Sequence, residues 1–178
     1  MLTEETLAGD DPTAVADALS APLFAERVYI GGGLFTEEQK AFHLELAQEL
    51  EALGFSVFLP QRDGYEAAAL EDWTDAEKVR RIYRRDLFEV CLAGFLFADL
   101  DGAVPDDGLC VEMGIAGLHK LVNPGKRVIG YRSDTRTFMG TLQLNPLVAG
   151  PLDVLCRTRE EVTAYFSRQA PVGSGRRE

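Results

Sequence analysis

Carboxylates are where this chain carries the means to do chemistry. Glu112 stands in the middle of DDGLCVEMGIA (residues 106–116), an apolar helical run opened by Asp-Asp-Gly. Asp99, Asp101, Asp106 and Asp107 cluster just before it, and Asp86 lies in an earlier helical segment between IYRR and LFEV. Asp106 is six residues before Glu112, under two turns at about 3.6 residues per turn, so both project on roughly one side of a helix near its N-terminal end. That end favours negative charge, while neighbouring acids push one another's pKa values apart. Gly108, Cys110, Gly114 and Ala116 are small and predict close packing around Glu112. Two or three carboxylates without metal ligands fit glycosyl chemistry, one acting as nucleophile and another as acid and base. A solvated acidic loop beside a surface helix is the alternative reading of the same residues.

Other chemistries find less support. YIGGGLF follows a short β-branched run, but Phe35 occupies the place of the last glycine in a G-x-G-x-x-G fingerprint, and no Walker pattern is present. Gly31, Gly32 and Gly33 then form either a tight strand-to-helix turn or a place where bare backbone approaches a flat ligand. His43 and His119 have no spaced partners, which argues against a metal site or a Ser-His-Asp triad and puts both at core or surface positions. Cys91, Cys110 and Cys156 lie far apart in apolar surroundings, as buried thiols of a reducing cytoplasm do. No cofactor is expected. The net charge of −11 argues against a phosphate backbone as partner, and KVRRIYRR (78–85) reads as a solvated helix face interleaved with acids. No apolar run approaches the roughly 18 residues of a membrane span. The acidic N-terminal stretch resembles neither a secretory signal nor a transit peptide, so a cytoplasmic location is expected.

The elements that must position these residues alternate. RVYI (27–30) is a strand; Thr36 with Gln39 forms a capping box for a helix that stops at Gly54; FSVFLP (55–60) is a second strand ended by Pro60. Residues 61–74 read as a polar loop, followed by a helix from Thr74 or Asp75 to about Val90. LAGFLFADL (92–100) is apolar throughout, as a strand buried on both faces requires. After the loop 101–107 come the Glu112 helix, the strands KRVIGYR and LDVLC, and a last helix TREEVTAYFSRQ. This order predicts one α/β domain over residues 25–168, doubly wound in the Rossmann or flavodoxin manner, with a mostly parallel sheet of about five strands and helices on both faces. Residues 1–24 read as an arm and 169–178 as a disordered tail.

Taken together, VYIGGGLFTEEQ (28–39), YRRDL (83–87) and PDDGLCVEMGIA (105–116) resemble the nucleoside 2-deoxyribosyltransferase family. They match its strand-end aromatic and glycine turn, its Tyr-x-x-Asp-Leu helix and its Asp-x-Gly-Leu-x-x-Glu-x-Gly-x-Ala nucleophile motif. The resemblance implies a double displacement. Glu112 would attack the anomeric carbon of a deoxynucleoside, Tyr29 would orient Glu112, and Asp86 would serve the proton needs of the base. Asp106 would bind the 5′-hydroxyl, and Phe35 would stack on the base with the backbone of 31–33 close by. It also implies a free nucleobase as second substrate and a homo-oligomer, dimer or larger, with sites completed across subunits. For the neighbour's polar group toward the 5′ end, Asn145 is the first candidate and Asp153 the second. The C-terminal aromatic that some members contribute has no counterpart in APVGSGRRE.

Two other outcomes fit the same motifs. One is hydrolysis of the N-glycosidic bond of nucleosides or nucleoside 5′-monophosphates; Asp106 disfavours a phosphate, although Arg84, Arg85 or Arg132 could offset it. The other is a binding module without turnover, against which the presence of Tyr29, Asp86, Asp106 and Glu112 together stands.

Overall fold

The computed structural model describes Ser20 and residues 22–65, 67–137, 140 and 142–171. Most of the expected arm and residues 172–178 of the expected tail lie outside the described residues. Five strands, β1 (Phe24–Gly31), β2 (Ser56–Phe58), β3 (Ala93–Asp99), β4 (Arg127–Tyr131) and β5 (Val154–Cys156), form one parallel sheet in the order β2-β1-β3-β4-β5. The chain winds outward from β1 to β2, then returns across β1 to β3. The crevice at the carboxyl ends of β1 and β3 is therefore the switch point at which sheets of this kind bind ligands.

Alternation along the strands sets the two faces. Val28, Ile30, Phe95 and Phe97 point to one side, where α1 (Glu37–Ala52) and α7 (Arg159–Gln169) cover them with Leu46, Leu50, Val162 and Phe166. Tyr29, Leu96 and Ala98 point to the other, where α4 (Asp75–Leu92) and α5 (Asp107–Val122) contribute Val90, Leu109, Met113 and Ala116. All seven residues of β3 are buried, as a central strand covered on both faces must be. Thr36 and Gln39 close a reciprocal capping box on α1, and Gly54 takes φ 94° just beyond its end. Thr74, rather than Asp75, caps α4, with Glu77 returning the second bond.

Several boundaries differ from the sequence reading. β1 starts at Phe24, inside the stretch taken for an arm, and α4 runs to Leu92 and passes directly into β3. The strand expected over 55–60 is only Ser56–Phe58, because Pro60 opens a helical turn instead of merely ending a strand. The expected loop 61–74 holds two short helices, α2 (Pro60–Asp63) and α3 (Ala67–Glu71). A further short helix, α6 (Pro146–Ala149), precedes β5. Among the described residues no helix is long and apolar enough to cross a membrane.

At the amino edge of the sheet Lys126 is fully buried, and its ammonium donates to the carbonyls of Val90 and Ala93, the latter at 2.6 Å. It thereby ties the last turn of α4 to the start of β4, and burial pushes its pKa down to about 8. Lys126→Met keeps the stem but strands two buried carbonyls. Loss of about 2–4 kcal/mol of unfolding free energy is expected, read as a fall in the urea midpoint at constant m.

Candidate active site

Glu112 lies one and a half turns into α5, and its carboxylate rests on the last residue of β1. The Tyr29 hydroxyl donates to Glu112 Oε1 at 2.6 Å. On the other oxygen the fit to the strand is equally close. A Cβ on Gly31 would lie 2.6 Å from Glu112 Oε2 and 2.8 Å from Leu109 Cδ1, so any side chain there would push both from their places. Gly32 is constrained from behind: a Cβ there would lie 2.8 Å from both the His43 ring and Asp99 Cβ. The space the glycines leave is thus filled by side chains of the chain itself, which the reading in terms of a flat ligand did not foresee.

Tyr29 is fully buried and stacks on Phe58, ring centroids 5.7 Å apart and planes 17° off parallel. Burial, together with the charges of Glu112 and Asp86, raises its pKa far above the ordinary phenol range, so it remains a donor. Glu112 is pushed up to about 8, first by burial and further by the charges of Asp86 and Asp106, against the opposing pull of the Tyr29 hydroxyl. Asp86, from α4, is pushed up to about 6 by burial; Arg85 opposes this and Glu89 adds to it. Asp106 caps α5, accepting from Leu109 N at 2.8 Å. The charges of Asp86 and Asp106 thus reach Glu112, and those of Glu112 and Asp86 reach Tyr29, although the four residues come from three separate elements.

The remaining sequence candidates are placed elsewhere. Phe35 is 79% exposed beside the glycine turn, with its ring facing solvent. Asn145 caps α6 by accepting from Leu147 N at 2.9 Å. It lines a cleft of about 530 Å³ with Cys110 and Arg132, apart from the Glu112 contacts. Asp153 accepts from Val128 N at 2.7 Å and pairs with Lys120 at 2.8 Å, which commits it inside its own chain. Asp99 is bonded to His43 at 2.9 Å, and Asp101 joins the loop after β3 to Ser133 and Asp134 N. The small residues do not close around Glu112 as expected. Nothing stands within 4 Å of a Cβ on Gly114, and Cys110 faces the other cleft. Nor is 78–85 a wholly solvated face, since Arg81 lies over Trp73 and Arg85 over Phe58 and Tyr65.

Sequence reasoning missed Phe58, Leu109, Arg85 and the His43–Asp99 pair. Phe58, at the end of an apolar strand run, was the only one with a local signal.

The family model described as nucleoside 2-deoxyribosyltransferase matches residues 28–164. No match was found among curated proteins. Among solved structures, the 2-deoxyribosyltransferase of Bacillus psychrosaccharolyticus superposes with a TM-score of 0.64 at 20% identity, covering 82% of this chain and 96% of that one. A conserved protein from Enterococcus faecalis V583 gives 0.63 at 20% identity, covering 80% and 98%. A 2-desoxiribosyltransferase from Leishmania mexicana gives 0.54 at 19%, covering 80% and 97%.

Tyr29→Phe keeps the ring on Phe58 and removes the hydroxyl that donates to Glu112. The Glu112 carboxyl should then ionise above about 8, because the bond that favours its charged form is gone. The carboxylate band in pH-difference infrared spectra reads this directly; an unmoved titration would show that the hydroxyl does not stabilise the charge.

Proposed function

The chain belongs to the nucleoside 2-deoxyribosyltransferase family, and from that premise we propose that it moves 2-deoxyribose from one nucleobase to another by double displacement on Glu112. One observation carries the reading: a half-buried carboxylate held by a buried tyrosine at 2.6 Å, with Asp86 and Asp106 near enough to shift it. In the first step Glu112 forms a bond to the anomeric carbon as the bond from that carbon to the base nitrogen breaks. The leaving base takes the proton of Asp86. In the second step an incoming base attacks the same carbon, Asp86 recovers a proton from it, and Glu112 leaves as carboxylate. Two inversions give net retention.

The transition state carries positive charge on the sugar, which a desolvated carboxylate stabilises more strongly than it stabilises a neutral ground state. Asp106, with Oδ1 engaged at its cap, can accept the donor's 5′-hydroxyl. The exposed Phe35 ring is free to stack on a base above the turn at 31–33. Arg132, one cation that could have welcomed a 5′-phosphate, is buried and donates to the Leu100 carbonyl at 2.6 Å. That favours nucleosides over nucleotides as donors.

Self-association is part of the same reading. Val111, Leu118 and Val122 stand exposed at spacings of seven and four along α5, the helix that bears Glu112, which makes an apolar stripe suited to a second copy. Asn145, exposed at its own cleft, is the residue offered to the neighbour's site.

Incubation with 2′-deoxyinosine and adenine should yield 2′-deoxyadenosine and hypoxanthine, followed by chromatography. Glu112→Ala should abolish it to below about a thousandth of wild type. Free deoxyribose without base exchange would make the protein a hydrolase, and unchanged turnover in Glu112→Ala would remove Glu112 from the mechanism. The active form has Asp86 protonated and Glu112 ionised; it is the minor arrangement of the one proton the pair shares, because Glu112, at about 8, holds it more tightly than Asp86, at about 6. The pH profile of kcat/KM should therefore be a bell with limbs near about 6 and about 8. A flat profile from 5 to 9 would contradict the shared proton.

A further inference from the structure

Arg81 and Arg85 stand one turn apart on α4, and both lay their guanidinium groups on aromatic rings. Arg85 is wedged between two of them, its guanidinium carbon 5.5 Å from the Phe58 centroid and 5.4 Å from that of Tyr65. Its Nη2 donates to the Asp63 carbonyl at 3.1 Å, fastening the end of α2 as well. Inward, the stack passes from Phe58 to Tyr29 and so to Glu112. Outward, Tyr65 meets Trp73 edge-on at 4.8 Å, and Arg81 covers Trp73 at 4.6 Å. A continuous ladder of rings and cations therefore joins Glu112 to the segment that follows β2.

The next residue after Arg85 is Asp86. We infer that Arg85 is a positioning and specificity-determining residue of this site: it clamps Phe58, Asp63 and Tyr65 against α4, next to Asp86, as a wall that a bound nucleobase meets. The inference rests on the functional reading above, in which Asp86 serves the base. Its physical basis is geometric. A planar guanidinium can lie between two rings and bond a carbonyl in its own plane, whereas the point charge of a lysine cannot do both. Gln61 and Arg62 also tie α2 to α1, at the Lys40 carbonyl and at Glu51, so loss of the clamp frees chiefly the chain around Tyr65 from its register against α4.

The test uses the full chain, with Arg85→Met, which keeps the apolar stem, and Arg85→Lys, which keeps the charge. Donor kinetics with 2′-deoxyinosine and adenine are combined with emission of Trp73, the single tryptophan. In both variants KM for the donor should rise about tenfold while kcat falls less than about threefold, since uniform binding is lost and the reacting groups are untouched. The ligand-free Trp73 emission should shift in both. A KM within about twofold of wild type in Arg85→Met, full restoration of KM by lysine, or an unmoved emission would each overturn the inference. A wild-type protein that neither exchanges bases nor binds deoxyinosine overturns the functional reading instead, and the emission of Arg85→Met then decides whether the wall depends on Arg85.

Discussion

The carboxyl edge of the sheet is organised by one hydrogen bond, from the Tyr29 hydroxyl to Glu112, between residues 83 positions apart. It can form only if α5 lies close enough to β1 for its carboxylate to touch the strand backbone, and Gly31 permits that approach. The bond also needs the Tyr29 ring fixed, which Phe58 does by stacking on it from β2. Behind the turn, His43 and Asp99 press against Gly32 from the opposite side of the sheet. The glycine turn is thus held between a carboxylate in front and the buried, hydrogen-bonded His43 and Asp99 behind. Packing on both faces, rather than the turn's own flexibility, fixes where Glu112 points.

The same crowding governs the electrostatics. A chain with a net charge of −11 has acids to spare, and most of those near the site are given to backbone or cationic partners. Asp63 accepts from Leu59 N, Asp101 from Asp134 N, and Glu89 pairs with Arg27 at 2.5 Å. Burial dominates at Asp86, Glu89 and Glu112, and all three are raised toward neutrality, Glu89 despite its pairing with Arg27. Roles that would be identical for two carboxylates in water are separated here by what lies around each one.

What was legible in the sequence follows from what is local. The order of the strands and long helices, the capping box at Thr36, the start of α4 at Thr74 or Asp75 and the end of α1 at Gly54 are set by residues within a few positions of each other, and these were readable. Glu112 stood out because an ionisable group in an apolar helix is anomalous in its own neighbourhood. The helices within 61–74 were obscured by polar composition and by reading Pro60 only as a stop. Contacts across the sheet left no trace in the sequence. Asp99 could not be told from Asp106 as a site acid until the fold turned one toward His43 and the other toward the N-terminus of α5. Arg85 was hidden for a similar reason, since a basic run gives no sign of which members meet a ring 27 residues away.

The raised Glu112 also carries a consequence for the fold. An acid that ionises near 4.5 when unfolded and at about 8 when folded is protonated more readily in the native state. Its stabilising contribution is complete below 4.5 and declines as pH rises through about 8, because the unfolded chain gives up its proton first. At neutral pH Glu112 therefore works against the stability of the fold that buries it. In the proposed transfer, a sugar developing positive charge against Glu112 reverses that, since the burial that penalises a lone carboxylate strengthens its attraction to a cation. The unfavourable placement of Glu112 in the resting protein and its capacity to favour a charged transition state have one physical origin. A better-solvated Glu112 would give a more stable fold and, on the proposed mechanism, a weaker catalyst.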